Sequence, residues 1–381
     1  MPNGYQLLVD RDCEIFSLLE NVADTVFDDV AGMDLPAKSI CVVGRTQTCL
    51  APGWVRHLAQ RTDLIVIFCD TAEGADNTKW HLQHLGLEEP ALAGKLLLIT
   101  GGELELPYQN LVYHSLISRT INRPYNRNIQ DHTYKIYSDL SKPYQFLFLN
   151  GRTRRHRKYL IERFEQLGIL ERALWTDLLG WGYLDEHLRL WDGDVNLMLR
   201  PRAVKYLPPE YELPESRSRV GTYSVSYGSE PSAKFNLFDG EWRDGDIYPL
   251  PYQHTYFSLV TETMFEYPYT FITEKIVKPI LIGHPWIASA NRGFYRSLRD
   301  MGFRTFGHLI DESFDAIDND QDRVERVAEI VQDLCRNNPA DFLRAAQDVC
   351  VYNQHHIREY ARREQQGFLT EFFNFIHPHI T

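Results

Sequence analysis

Two stretches decide the fold class: Leu64-Ile65-Val66-Ile67-Phe68-Cys69-Asp70 and, further on, Lys95-Leu96-Leu97-Leu98-Ile99-Thr100. Neither alternates apolar with polar residues, as a strand with one wet face does. Each is a continuous apolar run, the pattern of a strand buried on both faces of a parallel sheet. Residues Asn77 to Leu85, between them, have helical spacing. Outward from this core, Tyr5 to Val9 and Ser39 to Gly44 read as further strands, and Cys13 to about Val30 predicts a helix. Strands alternating with helices predict an α/β, doubly wound domain.

The same rhythm restarts in the second half. The pattern fades into polar residues between Ile117 and Lys142, and Ser141-Lys142-Pro143 reads as a linker. Tyr144 to Leu149 is then a strand, and Arg157 to Leu167 a helix stopped by Gly168. Residues 200–253, rich in Pro, Ser, Gly and Tyr, read as an irregular insertion. Tyr256 to Thr261 is a strand, a helix starts near Thr273, Pro285-Trp286-Ile287 enters another strand, and Asp322 to Cys350 and Gln354 to Phe375 are two amphipathic helices. The expected division is 1–140, 141–355 and a helical tail, 356–381. Two α/β domains facing each other would gather the carboxyl ends of both sheets around one cleft.

The chain has 381 residues, 40 Lys+Arg against 52 Asp+Glu, and a net charge of −12. The ordinary apolar fraction excludes disorder and fibrous repeats, and the charge disfavours general binding to nucleic-acid backbones. The N-terminus lacks a basic and then apolar leader, and no run approaches a membrane span, so a cytoplasmic protein is expected. The six cysteines form no CxxC pair and predict buried free thiols; no metal site is expected.

The strongest chemical signal is Asn150-Gly151-Arg152-Thr153-Arg154-Arg155-His156-Arg157-Lys158, after a buried strand and at a helix start. Helix N-termini favour anions, and Arg presents a planar fork to phosphate oxygens, so Arg152 with Arg154 or Arg155 is placed to hold a phosphate. The alternative is a solvated basic helix start, which opposes the helix dipole. A second signal combines Tyr256-Phe257-Ser258-Leu259-Val260-Thr261-Glu262-Thr263, then Phe271-Ile272-Thr273-Glu274-Lys275, then Ile282-Gly283-His284-Pro285-Trp286-Ile287. Thr273 is a candidate helix cap, Glu274 can accept hydrogen bonds from vicinal hydroxyls, and Lys275 can meet a diphosphate.

This combination resembles the C-terminal donor-binding region of α1,3-fucosyltransferases and of exostosin-like and related glycosyltransferases, which reads approximately F-E-N, Y-x-T-E-K, G-x-x-P-V. The resemblance covers about residues 144–300 and is absent from the N-terminal domain. It implies a GT-B architecture: two Rossmann-like domains, the first binding the acceptor and the second a nucleotide-sugar donor, with metal-independent inverting transfer. It further implies that Glu274 holds the donor ribose, Lys275 and an arginine among 152, 154 and 155 the diphosphate, and Glu262 the donor sugar. The sequence departs from the family at Thr263, Phe271 and Lys278-Pro279. Those positions surround sugar and base, so GDP-fucose is the family default while other GDP- or UDP-linked sugars stay open.

Transfer at an anomeric carbon must neutralise a departing diphosphate and deprotonate an acceptor hydroxyl. Asp70 and Glu103, following two N-terminal strands, are candidate bases beside Glu262, with Asp10 a third; turn or capping acids are the alternative for all. Asp192-Gly193-Asp194 and Asp244-Gly245-Asp246 match a metal-binding D-x-D form but read as solvated turns, and His284 either lines the nucleotide pocket or packs. The expected acceptor is a glycan of lipopolysaccharide or capsule type. A hydroxymethylated base of viral DNA, or a non-catalytic nucleotide-sugar-binding module, are the competing readings.

Overall fold

The computed structural model of the chain describes residues 4–28, 35–44, 61–72, 96–104, 108–150, 154–177, 223–224, 234–235, 247 and 249–380. They belong to two units, Met1–Ser118 with Glu359–Thr381, and Arg119–Arg358.

In the first unit, β1 (Gln6–Asp10), β2 (Thr25–Phe27), β3 (Ser39–Gly44), β4 (Leu64–Asp70), β5 (Leu96–Thr100) and β6 (Gln109–Val112) form one parallel sheet in the order β2-β1-β3-β4-β5-β6. Every residue of β3, β4 and β5 is buried. Alternate residues feed two separate clusters. Leu8, Cys41, Val43, Val66, Phe68 and Leu98 lie in one, and Leu7, Val9, Ile40, Val42, Ile67 and Leu97 in the other. The continuous apolar runs thus divide, residue by residue, between two covered faces.

The helix expected from Cys13 to Val30 is instead a short α1 (Phe16–Leu19) followed by β2. Asp24 explains the change: its carboxylate accepts from Leu7 N–H at 2.7 Å and its own N–H donates to Leu7 O. The β-branched Thr25-Val26 then extends the sheet beside β1, and tertiary pairing overrides a weak helical pattern.

The second unit holds β7 (Phe146–Asn150), β8 (Ala173–Asp177), β11 (Phe257–Thr261) and β12 (Trp286–Ser289), parallel throughout, in the order β12-β11-β7-β8. Of the 200–253 stretch, the structure describes a small antiparallel pair, β9 (Tyr223–Ser224) with β10 (Lys234–Phe235), besides Ile247 and the short helix α5 (Pro249–Gln253). The core is aromatic: Phe146 stacks on Phe257 at 5.6 Å, and Phe164 meets Phe146 edge-on at 5.5 Å. Phe164 comes from α4 (Arg155–Gln166), which ends where Gly168 takes a positive φ of 66°.

The stretch from Ile117 to Lys142, where the sequence pattern fades into polar residues, carries most of α2 (Ser115–Ile121), two 3₁₀ turns and α3 (Thr133–Ser138). Their polar residues satisfy backbone groups of the second unit. The Thr133 hydroxyl donates to Ile282 O at 2.9 Å and Tyr137 to Gly283 O at 2.8 Å, closing the C-terminal carbonyls of α6 (Glu274–Ile282). The division accordingly falls within α2 and not near residue 141.

After α7 (Phe294–Asp300), the C-terminal helices are α8 (Asp320–Arg336) and α9 (Pro339–Ile380). The break comes at Asn337-Asn338, where Asn338 has φ 33° and Pro339 opens the next helix, and no break occurs at 351–353. The segment from Glu359, read as a tail, belongs to the first unit because Phe368, Phe372, Ile376 and Ile380 join the cluster of Leu7, Ile40 and Leu97. The five described cysteines are free and buried; burial pushes the Cys335 and Cys350 thiols up to about 12. Among the described residues, no helix is long and apolar enough to cross a membrane.

Candidate functional site

In the second unit the chain places its second strand on one side of β7 and its third, β11, on the other. The strand order therefore reverses between β7 and β11, and open parallel sheets bind ligands outside the carboxyl ends of such a pair. Asn150 ends β7 and Thr261 ends β11; the Thr261 hydroxyl donates to Asn150 Oδ1 at 2.8 Å, both residues buried. Helix α4 follows β7 and helix α6 follows β11, so both helix N-termini lie at this edge.

The two N-termini differ. At α6, Thr273 is the cap and accepts from Lys275 N–H at 3.2 Å. Beneath it the fully buried Glu262 accepts from the Thr273 hydroxyl at 2.5 Å and from the N–H groups of Thr263 and Ile276 at 3.3 Å each. Burial raises the pKa of Glu262, opposed by Lys275 and by the Thr273 hydrogen bond. The first turn of α6 is thus already held by a carboxylate of the chain. At α4, Arg154 occupies the cap position in an extended conformation with no side-chain cap bond, and the first turn holds no acid. Among the described residues no side chain of the chain caps this end, and a helix N-terminus of that kind favours an anion.

The basic run divides between inside and outside. Arg157 is buried and donates to Thr261 O at 2.9 Å and Glu262 O at 3.3 Å. His156 is buried, places Nε2 3.0 Å from Glu262 O and stacks on Phe265 at 4.6 Å. Burial, then Arg157 and Arg154, hold its pKa well below the usual range, so the ring is neutral. Arg323 lies over the same Phe265 ring at 4.5 Å and donates to Phe265 O at 2.8 Å. Arg155 stays partly exposed and pairs with Glu266 at 3.2 Å. Gly151 and Arg152 lie outside the described residues.

At the mouth, Lys275 Nζ bonds Glu274 Oε1 at 2.8 Å and the Thr263 hydroxyl at 3.0 Å, with the two charged side chains 30% and 22% exposed. Burial pushes the Glu274 carboxyl up, but Lys275 and Lys278 outweigh it and bring the value to about 2. Partly exposed ion pairs of this kind are held by about 0–1 kcal/mol, so an incoming phosphate can exchange for Glu266 or Glu274 at low cost.

The other candidates separate clearly. Asp70 ends β4 and is fully buried, whereas Glu103, past β5, is exposed. Asp10 is a buried structural acid, accepting from Gly44 N–H at 2.9 Å and Asp12 N–H at 3.0 Å. His284 precedes β12, at the sheet edge opposite the site; it meets the Ser258 hydroxyl at 2.9 Å and Thr255 O at 3.0 Å, and burial takes its pKa down to about 3. It packs and does not line this site. Both D-x-D stretches lie outside the described residues, among which no group of three or more potential metal-ligating side chains gathers.

Sequence reasoning missed the inward roles of His156 and Arg157, because their partners are backbone carbonyls about a hundred positions away. It also missed a pair in the first unit, His114 Nδ1 to Glu364 Oε1 at 2.7 Å, with Tyr360 Oη 3.1 Å from the same nitrogen. No local pattern marks residues 250 positions apart. No protein-family model matches the chain, and neither a curated protein nor a solved structure matches it.

Proposed function

We propose that the protein is a GT-B glycosyltransferase, metal-independent and inverting, built of two Rossmann-like domains and moving a sugar from a nucleotide-diphosphate donor to a hydroxyl of a glycan acceptor. The observation that carries this reading is the basic N-terminus of α4, with Arg154 as its cap residue and Arg155 in its first turn, on the same sheet edge as Lys275. An anionic leaving group that must be neutralised as the glycosidic bond breaks needs such cations where the charge develops. Glu274, kept ionised by Lys275 and Lys278, suits vicinal ribose hydroxyls. Glu262 supports the site from below as the clamp on α6. Of the three N-terminal acids Asp10, Asp70 and Glu103, Glu103 is the one that solvent reaches.

The test is a thermal-shift series with GDP, UDP and a panel of their sugars. A nucleotide that binds the folded state raises the melting temperature with concentration. Stabilisation by one base and its sugars, with slow release of free sugar by the wild-type protein, is the expected result. No shift with any nucleotide would overturn the donor site.

A further inference from the structure

A cavity of about 430 Å³ opens in the second unit between α8, the start of α9 and residues 309–311, and none of its lining residues belongs to the site above. Its size is that of a small-molecule pocket, for which about 300–1,000 Å³ is usual. Ile310, Ile330, Leu334 and Phe342 supply apolar lining, and Asp311, Asp333 and Asp341 carboxylates stand around it. One cation, Arg326, is also in the lining, and it is already committed to Asp311 at 3.1 Å and Glu329 at 2.7 Å. Asp341 is held by Arg344 at 2.7 Å and Asn338 at 2.9 Å.

Asp333 stands apart from these. It is exposed and lies in the last turn of the 17-residue α8, where the helix presents its negative end. An acid in that position is electrostatically unfavourable; Arg336, outside the cavity lining, is the basic residue of the same turn, and Asn337, the C-cap, lines the same cavity. A positive charge beside Asp333 and the final carbonyls of α8 would relieve both, while a hydrocarbon body covers Ile330 and Phe342.

We infer that this cavity binds a small organic cation, a primary amine or guanidinium carried on an apolar body. The carboxylates and the helix end hold the charge; the apolar lining holds the body. An anionic ligand lacks a free cation among the lining residues and is disfavoured by Asp333, and a neutral one gains only the apolar part.

The test is titration calorimetry of the full chain with 2-phenylethylamine, its neutral counterpart 2-phenylethanol, and phenylacetate. The amine is expected to bind saturably with a dissociation constant on the order of millimolar, the alcohol about fivefold more weakly, and phenylacetate not at all. Asp333→Asn should weaken the amine about fivefold and leave the alcohol unchanged. Ala345→Trp, at an exposed lining position, should remove both. Equal affinity for amine and alcohol, an unchanged amine affinity in Asp333→Asn, or no saturable binding to the wild type would each overturn the inference.

Discussion

The Thr261 hydroxyl donates to the Asn150 side-chain oxygen at 2.8 Å, joining the last residues of two neighbouring parallel strands where the strand order of the second unit reverses. Open parallel sheets bind ligands at such a point; here a buried hydrogen bond ties the two strand ends together. Thr261→Val keeps the shape and leaves the buried Asn150 oxygen without this donor, so we expect about 1–3 kcal/mol loss in urea unfolding. Nucleotide binding should weaken in the same variant. An unchanged midpoint would show that the bond does not hold the strand ends.

Glu262 and Glu274 should respond to pH in opposite senses. The pKa of Glu262 is raised in the folded state above the ordinary 4.5, so its contribution is full below about 4.5 and is lost as pH rises through the folded value. Glu274 is lowered to about 2 from 4.5, so its contribution is full above 4.5 and is lost as pH falls towards 2. Relative to the wild type, Glu262→Gln should therefore gain stability as pH rises, and Glu274→Gln should lose it. Denaturant midpoints measured across pH 3–8 check both signs.

Lys275→Ala and Arg155→Ala should fold, since both side chains are partly exposed, and each should lower nucleotide-diphosphate affinity about tenfold or more. Glu266→Gln, which releases Arg155 from its partner, should raise that affinity. Loss of binding in neither alanine variant would remove these side chains from the phosphate site.

Gly283 ends α6 with φ 74°, and a Cβ built there would lie 2.8 Å from Thr133 Cγ2. Gly283→Ala combines left-handed strain with a clash against a packed side chain, and should destabilise by roughly 1–3 kcal/mol. Gly168, also at positive φ but with nothing within 4 Å of an added methyl group, should tolerate alanine better. Thermal melts of the two variants make the comparison directly.

The strands were legible because burial on both faces writes itself as an unbroken apolar run: Ser39–Gly44 and Leu64–Asp70 are found where the pattern puts them. Thr273 was legible as a cap because capping is local chemistry, read from a hydroxyl just before an acidic helix start. What escaped depends on partners distant in the chain. Thr25–Phe27 is a strand through its pairing with β1, and Thr133 and Tyr137 find their partners in carbonyls at the end of α6. The basic run announced a helix start but not which of its members turn inward, since Arg157 and His156 find carbonyls at the end of β11.

The helix Pro339–Ile380 has a consequence for biosynthesis. One face of the first unit's sheet, with Leu7, Ile40 and Leu97, is covered in part by Phe368, Phe372 and Ile376, which are made after the second unit. A nascent chain therefore carries the six described strands with part of one apolar face still lacking these side chains while the whole second unit is being made. Proteins usually fold their N-terminal domains first during synthesis. Here the first sheet is completed only by a segment made after the second unit, and a truncation at Arg358 removes the apolar side chains that segment supplies.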